Sequence, residues 1–241
     1  MKQILLLSCC CLLLGSQSVT AQNHKISAEA TYSSRSIWRG FDDAAPRNNA
    51  PGMEVTATWA RGDSGPWLEI LSNTILTHRD EIDYPSELDV TIGWTESIVK
   101  MVDINFGYTQ YSFPVPNDGK YFDYHIEELF AGIEVHHTLI NPYAQLSRVF
   151  GSLEGFYLLG GLGIPLGRSF LLPLMLDVSL GLQNYEDIDD PGMSDLNFGL
   201  TTELGNDNVM LYPGIHWTIT GSKEINTHNE FWVSLGLGLS N

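Results

Sequence analysis

Apolar and polar residues alternate one by one along most of the chain beyond its first two dozen positions. Leu196, Phe198, Leu200, Thr202 and Leu204 carry a mostly apolar face, while Asp195, Asn197, Gly199, Thr201 and Glu203 carry small or polar groups. Successive side chains of a strand point to opposite faces, so this pattern predicts a two-faced strand. The same split sets Leu88, Val90, Ile92 and Trp94 against Glu87, Asp89, Thr91 and Gly93, and Val102, Ile104, Phe106 and Tyr108 against Asp103, Asn105, Gly107 and Thr109. Near the C-terminus Phe231, Val233, Leu235, Leu237 and Leu239 alternate with Trp232, Ser234, Gly236 and Gly238.

Extended over the chain, the pattern predicts twelve strands, near 24–38, 52–60, 67–78, 86–96, 101–112, 123–136, 142–150, 154–164, 169–183, 194–204, 208–219 and 230–240. A helical reading fails even in the apolar stretch 155–182, which Pro165, Gly167, Arg168, Pro173 and Asp177 interrupt. The connections alternate in length. Arg61–Pro66, Ser97–Lys100, His137–Asn141, Pro165–Arg168 and Gly205–Asp207 are short. Arg39–Pro51, Arg79–Pro85, Phe113–Phe122, Asn184–Met193 and Thr220–Asn229 are longer and polar, with Gly151–Leu153 the one short exception among them. Short turns at one end and long loops at the other are the mark of a transmembrane antiparallel up-and-down β-barrel, all-β and with an even strand count. In a secreted sandwich or a lipocalin-like barrel the outward face must be wet, with Lys, Glu and Thr frequent. Here lysines are few, and the second face is Leu, Val, Phe and Trp. The expectation is therefore that apolar residues face lipid and that Gly, Thr, Asn, Asp and Glu face the lumen. All six tryptophans, Trp38, Trp59, Trp67, Trp94, Trp217 and Trp232, fall near strand ends. Two lipid-facing aromatic girdles would account for them.

The chain has 241 residues, 43% of them hydrophobic and 17% charged, and 12 Lys and Arg against 29 Asp and Glu give a formal charge of −17. Such a surface repels nucleic acid, which excludes that class of partner. Met1 and Lys2, the apolar run Ile4–Leu14 and the small residues Val19-Thr20-Ala21 have the order of a secretory signal peptide. On this reading residues 1–21 are a signal and residues 22–241 the barrel. All three cysteines, Cys9, Cys10 and Cys11, fall in the signal, so the exported chain has no disulfide or thiolate metal site.

Several segments resemble the TorF-type porins, small barrels of the Gram-negative outer membrane. The first is Tyr32-Ser33-Ser34-Arg35-Ser36-Ile37-Trp38-Arg39-Gly40, similar to that family's opening strand with its aromatic-Arg-Gly corner. Glu87-Leu88-Asp89-Val90, Gly107-Tyr108-Thr109-Gln110-Tyr111-Ser112-Phe113-Pro114, and the run from Phe156-Tyr157-Leu158 to Leu180-Gly181-Leu182 come next in family order. The resemblance implies an outer-membrane barrel acting as a small porin. Ser234-x-Gly236-x-x-Leu239 looks like the signal read by the barrel-assembly machinery, with Asn241 in place of the usual terminal Phe.

Strand parity places Glu29, Arg35, Glu54, Glu69, Glu87, Asp89, Asp103, Glu128, Glu134, Asp177, Asp195 and Glu203 on the lumen side, with Lys25 and Arg148 as further basic candidates. A wall so rich in carboxylates favours cations. Twelve strands lie between the eight that side chains fill and the sixteen that leave a wide channel, which predicts a narrow, partly blocked pore. The expectation is a non-enzymatic porin for small, cation-preferring solutes, needing no cofactor and no metal. Its partners are outer-membrane lipid, lipopolysaccharide, the assembly machinery and the solute. Two rivals are a non-conducting surface barrel and a lipid hydrolase. The hydrolase needs a Ser beside a His, and neither His216 with Thr218 nor His125 with Glu127 supplies one, while His136 and His137 point to opposite faces of a strand and make no two-ligand metal clip. Acidic loop clusters at Asp42-Asp43, Asp80-Glu81-x-Asp83 and Glu186-Asp187-x-Asp189-Asp190 lack the spacing of a calcium loop and read as solvated loops.

Overall fold

A computed structural model describes residues 24–42, 50–76, 86–113, 124–167, 172–186, 188–189 and 191–241. The predicted signal segment, the acidic residues Asp43, Asp80, Glu81, Asp83, Asp187 and Asp190, and all three cysteines lie outside these residues.

Fifteen strands are present among the described residues: β1 (Lys25–Ser33), β2 (Ile37–Trp38), β3 (Phe41–Asp42), β4 (Gly52–Ala60), β5 (Gly65–Ile75), β6 (Ser86–Val99), β7 (Val102–Phe113), β8 (Tyr124–Val135), β9 (Asn141–Gly151), β10 (Gly155–Pro165), β11 (Leu174–Tyr185), β12 (Gly192–Thr202), β13 (Leu204–Asn206), β14 (Val209–Thr220) and β15 (Glu230–Ser240). Every barrel strand pairs antiparallel with its chain neighbour, from β4 round to β12, then β14, β15 and β1, and the β1–β4 ladder completes the ring. The result is a closed twelve-stranded antiparallel barrel, with β13 a stub that continues β12 and with the β2–β3 hairpin standing apart from the ring. Closure leaves no open edge in the ring, so each of the twelve barrel strands has a ladder on both sides.

The alternation read in the sequence decides which face is which. Ile92, Phe106, Leu129, Leu146 and Leu235 are each more than half exposed on the outer surface. Thr91, Thr109, Ser147, Ser179, Gln183 and Asp195 are buried on the inner one. A slip of one residue would exchange these two sets along a whole strand, so the apolar outside pins the register. The turns at 61–64, 100–101, 136–140 and 207–208 share one end of the barrel with His24 and Asn241, and the strand ends that the longer connections join lie at the other.

Several features depart from the sequence-based expectations, among them β11, which begins at Leu174 rather than 169, and β5, which ends at Ile75 rather than 78. The first strand stops at Ser33, five residues short of the expected 38, and the chain then folds into the β2–β3 hairpin. The two-residue tip, Arg39 (φ 50°) and Gly40 (φ 83°), has both central residues at positive φ, the geometry that closes a tight hairpin. Strand β6 runs to Val99 rather than 96. Finally, only Trp59, Trp94 and Trp217 lie on the outer surface. Trp67 and Trp232 face inward, and Trp38 rides on the hairpin, so three of the six tryptophans lack the outward placement that a girdle requires. Trp67 shares parity with Glu69, and Trp232 with Ser234, so turning the apolar set outward turns both rings inward whatever their height.

Candidate functional site: an acidic lumen beside an inserted hairpin

The interior is divided. One side of the barrel, formed by β1 and β4–β8, is lined by two cavities. The larger, about 490 Å³, extends toward Ser33 and Arg35 at the loop end, and the smaller, about 370 Å³, lies near Ser27, Asp207 and Ser240 at the turn end. Glu54, Glu69 and Leu71 line both, so these three side chains stand at the boundary between the two cavities.

The strand register orders this wall into rows. Toward the loop end Asn73 stands opposite Glu87, and next come Leu71, Asp89 and Tyr111. The third row is Glu69, Thr91, Thr109 and Glu128, and the fourth is Trp67, Gly93, Gly107 and Phe130. The hydroxyls of Thr91 and Thr109 are 3.0 Å apart and share a proton in one hydrogen bond. Thr58 donates to Glu69 at 3.2 Å, and Thr31 donates to Glu29 at 2.6 Å. Glu29 faces inward yet stays exposed to solvent, so the turn end of this wall is open.

Between the acidic wall and the rest of the interior sits the β2–β3 hairpin. Arg39 donates from one nitrogen to both oxygens of Glu128, at 2.7 and 2.6 Å, and from the other to the Tyr185 hydroxyl at 3.2 Å. Its guanidinium lies 4.6 Å from the Trp38 ring and 4.3 Å from the Tyr157 ring. Burial opposes the charge, but the Glu128 carboxylate, with the tyrosines around it, outweighs burial, and Arg39 holds its proton more firmly than an ordinary arginine. The Ser194 hydroxyl donates to the Arg39 carbonyl, Trp38 meets Tyr111 edge-on, and Phe41 packs against Tyr185. A side chain at position 40 would come 3.0 Å from the Ser194 carbonyl, so the tip needs glycine for clearance as well as for its φ. Ile225 and Asn226, from the loop between β14 and β15, are buried, and Ile225 reaches the Gly40 backbone. That loop therefore covers the hairpin.

The opposite side, β9–β12 with the loop-end part of β14, is filled, while the turn-end parts of β14 and β15 border the smaller cavity. Tyr143 donates to both oxygens of Asp177 at 3.0 and 3.1 Å, and Tyr157 donates to Asp195 at 3.1 Å. Asn197 also donates to Asp195, Thr218 donates to Asn197 at 2.7 Å, and the Trp232 indole donates to Thr218 at 3.3 Å. Each carboxylate here is satisfied by hydroxyls and amides, which is the condition for keeping a polar group in a packed interior.

The sequence-predicted residues thus fall into four places. Glu29, Glu54, Glu69, Glu87 and Asp89 line the cavities, and so does Arg35, which pairs with Glu230 at 3.2 Å. Glu128 is 1% exposed and belongs to Arg39. Asp103 and Glu134 flank His136 at the turn end, at 2.9 and 3.5 Å, and Glu203 is exposed at the break between β12 and β13. Asp177 and Asp195 sit in the filled side. Two basic candidates are corrected. Lys25 is spent on an ion pair with Asp63 at the turn end. Arg148 lies between Phe150 and Phe156 and pairs with Glu154 at 2.6 Å; its neighbours Ser147 and Val149 take the inward positions.

Two functional features escape the sequence reading. One is Arg39, which alternation alone would leave in a solvent loop. The other is a serine beside a histidine: the His216 imidazole is 2.9 Å from the Ser234 hydroxyl and stacks on Trp232 at 3.8 Å. This pair crosses the β14–β15 ladder, so no spacing within one segment could show it.

No protein-family model matches the chain, and no curated protein matches it by sequence. Solved structures do match it by shape. The KdgM porin aligns with a TM-score of 0.58 over 88% of this chain and 98% of its own, at 10% identity, and that porin has also been solved in complex with disordered oligogalacturonate. The NanC porin aligns at 0.55 over 89% and 98%, at 11% identity. Outer membrane phospholipase A from Escherichia coli aligns at 0.51 over 88% and 92%, at 13% identity. Porins and a hydrolase share this architecture, so the likeness establishes the fold of an outer-membrane β-barrel.

Proposed function

We propose that this chain is an outer-membrane porin that passes small solutes along one side of its barrel and prefers cations. The observation that carries the reading is the succession of two cavities bordered by Glu54, Glu69 and Leu71, with Glu29, Glu87 and Asp89 along the same wall. Low-dielectric walls of one sign concentrate counter-ions and repel co-ions. Among the described residues, the two arginines that approach this wall are engaged, Arg35 with Glu230 and Arg39 with Glu128. Oligogalacturonate is a polyanion, so this wall is suited to a different cargo from the one in the KdgM complex. The TorF-type segments fit the same reading, since the family-like opening segment supplies the inserted hairpin. Residues 1–21 then act as the export signal, the turn end faces the periplasm, and lipid and lipopolysaccharide surround the apolar belt.

The test is planar-bilayer recording under a salt gradient. The expected reversal potential has the cation-selective sign and shrinks as salt rises, because the screening length falls from about 10 Å at 0.1 M to about 3 Å at 1 M. An anion-selective current, or none, would defeat the reading.

The Ser234–His216 contact favours a second reading as a hydrolase, but the surrounding chemistry does not support it. The pair faces the lumen rather than the lipid, and Ser234 lies in the ladders to both β1 and β14, where its backbone and its neighbours' are already paired. An acyl-transfer site needs backbone or side-chain donors left over for the oxyanion, and these ladders use them. Incubation with a labelled phospholipid is expected to give no turnover, and turnover lost in Ser234→Ala would reverse the assignment.

A further inference from the structure

The larger cavity holds more aromatic surface than an inorganic cation needs. In the fourth row, Trp67 and Phe130 lie flat against the inner wall with ring centroids 6.2 Å apart. They can do so only because the two positions between them are glycines paired with each other, Gly93 and Gly107. A Cβ on Gly93 would collide with the Trp67 ring, and one on Gly107 would fall 2.6 Å from the Phe130 ring. One row up, the same four strands present Glu69, Thr91, Thr109 and Glu128.

A ring face attracts a cation through its quadrupole, and a nearby carboxylate adds charge. Small inorganic ions bind through oxygen ligands and their own water and gain little from indole and phenyl faces. A neutral apolar solute gains nothing from Glu69. We infer that the larger cavity is a binding site for a small organic ammonium ion, its charged head held between the Glu69 carboxylate and the ring faces of Trp67 and Phe130 and its alkyl body along the same rings. The inference rests on the porin reading, which supplies the route, and it adds the class of solute that the route selects. The glycine pair makes the aromatic floor a built feature, since alanine at either position would tip a ring off the wall.

The experiment uses the full chain in a planar bilayer at about 0.1 M potassium chloride, with butylammonium chloride added to one side. Butylammonium is expected to block the potassium current saturably, whereas 1-butanol at the same concentration leaves it unchanged. Trp67→Leu and Phe130→Leu should each raise the half-blocking concentration of butylammonium about five- to tenfold, the size expected for one partly desolvated cation–ring contact. The half-blocking concentration of magnesium should rise by less in both variants. Faster migration of unboiled protein on a gel checks that each variant has folded. Equal block by butanol, or butylammonium block unchanged in both leucine variants, would overturn the inference and leave the porin reading standing. If no current flows, calorimetry with butylammonium on the detergent-folded protein decides. Saturable binding weakened by Trp67→Leu keeps the site and removes the route, and no binding removes both.

Discussion

Arg39 is the residue on which the interior turns, because it is the point where a loop becomes part of the wall. Its bond to Glu128 is a buried ion pair closed by tyrosine hydroxyls and ring faces. Removing one member of such a pair leaves an uncompensated charge, which costs about 3–5 kcal/mol, whereas replacing both with apolar residues of similar volume is often neutral. Arg39→Met is therefore expected to lower the urea midpoint of the folded barrel and to raise single-channel conductance as the hairpin loosens. Arg39→Met with Glu128→Met should recover most of the stability. If the double variant is as unstable as the single one, the pair is not what holds the hairpin. Glu54, Glu69 and Glu87 have no such duty. Changing all three to glutamine keeps size and hydrogen bonding and removes charge, so the cation preference should fall while the urea midpoint stays. Glu128 and Asp177 look equivalent to these three in strand parity. In the structure one is the partner of Arg39 and the other of Tyr143, so their amides would report on packing as well as on selectivity.

At the level of single strands, nearly everything is legible in the sequence. Period-two alternation, with Leu, Val and Phe on one face and Gly, Thr and acids on the other, marks the number of strands, their order and their inward sets. Bounds shift by a few residues where a strand ends in polar sequence, as at Ser33. The hairpin is not legible, since Ser34–Asp42 has no alternation and its position depends on partners in β8, β10, β11 and β12 that are far away in the chain. The same applies to His216 and Ser234, 18 residues apart and brought together by register alone. Trp67 is a different case: its parity with Glu69 already points inward, and only its place at a strand end suggests the girdle. The face assignment makes a sharp prediction for strands. Val90→Arg and Leu235→Arg, both outward, should each destabilise the barrel refolded into lipid vesicles by about 2–4 kcal/mol, and Thr56→Arg, on the cavity wall, by much less. Similar losses from both faces would mean that the outer belt does not meet lipid.

Taken whole, the molecule is a ring in which one side is solid and the other hollow. The filled side needs few lysines or arginines because its acids are held by Tyr143, Tyr157 and Asn197, and the hollow side keeps its carboxylates for whatever passes. Closure of the ladder predicts resistance to detergent. Unboiled protein should run ahead of boiled protein on a gel, and identical mobilities would show that the ring does not persist outside the membrane.

The β1–β15 seam has one further consequence. The Asn241 amide donates to the Ile26 carbonyl at 3.2 Å, and the Ile26 amide donates to the Asn241 side chain at 2.8 Å, so the first and last strands meet end to end as any hairpin does. Mechanically the ring has no privileged starting point. A circular permutant that joins Asn241 to His24 through a short glycine-rich linker and opens the chain in the 61–64 turn should build the same barrel, with its new ends still at the turn end.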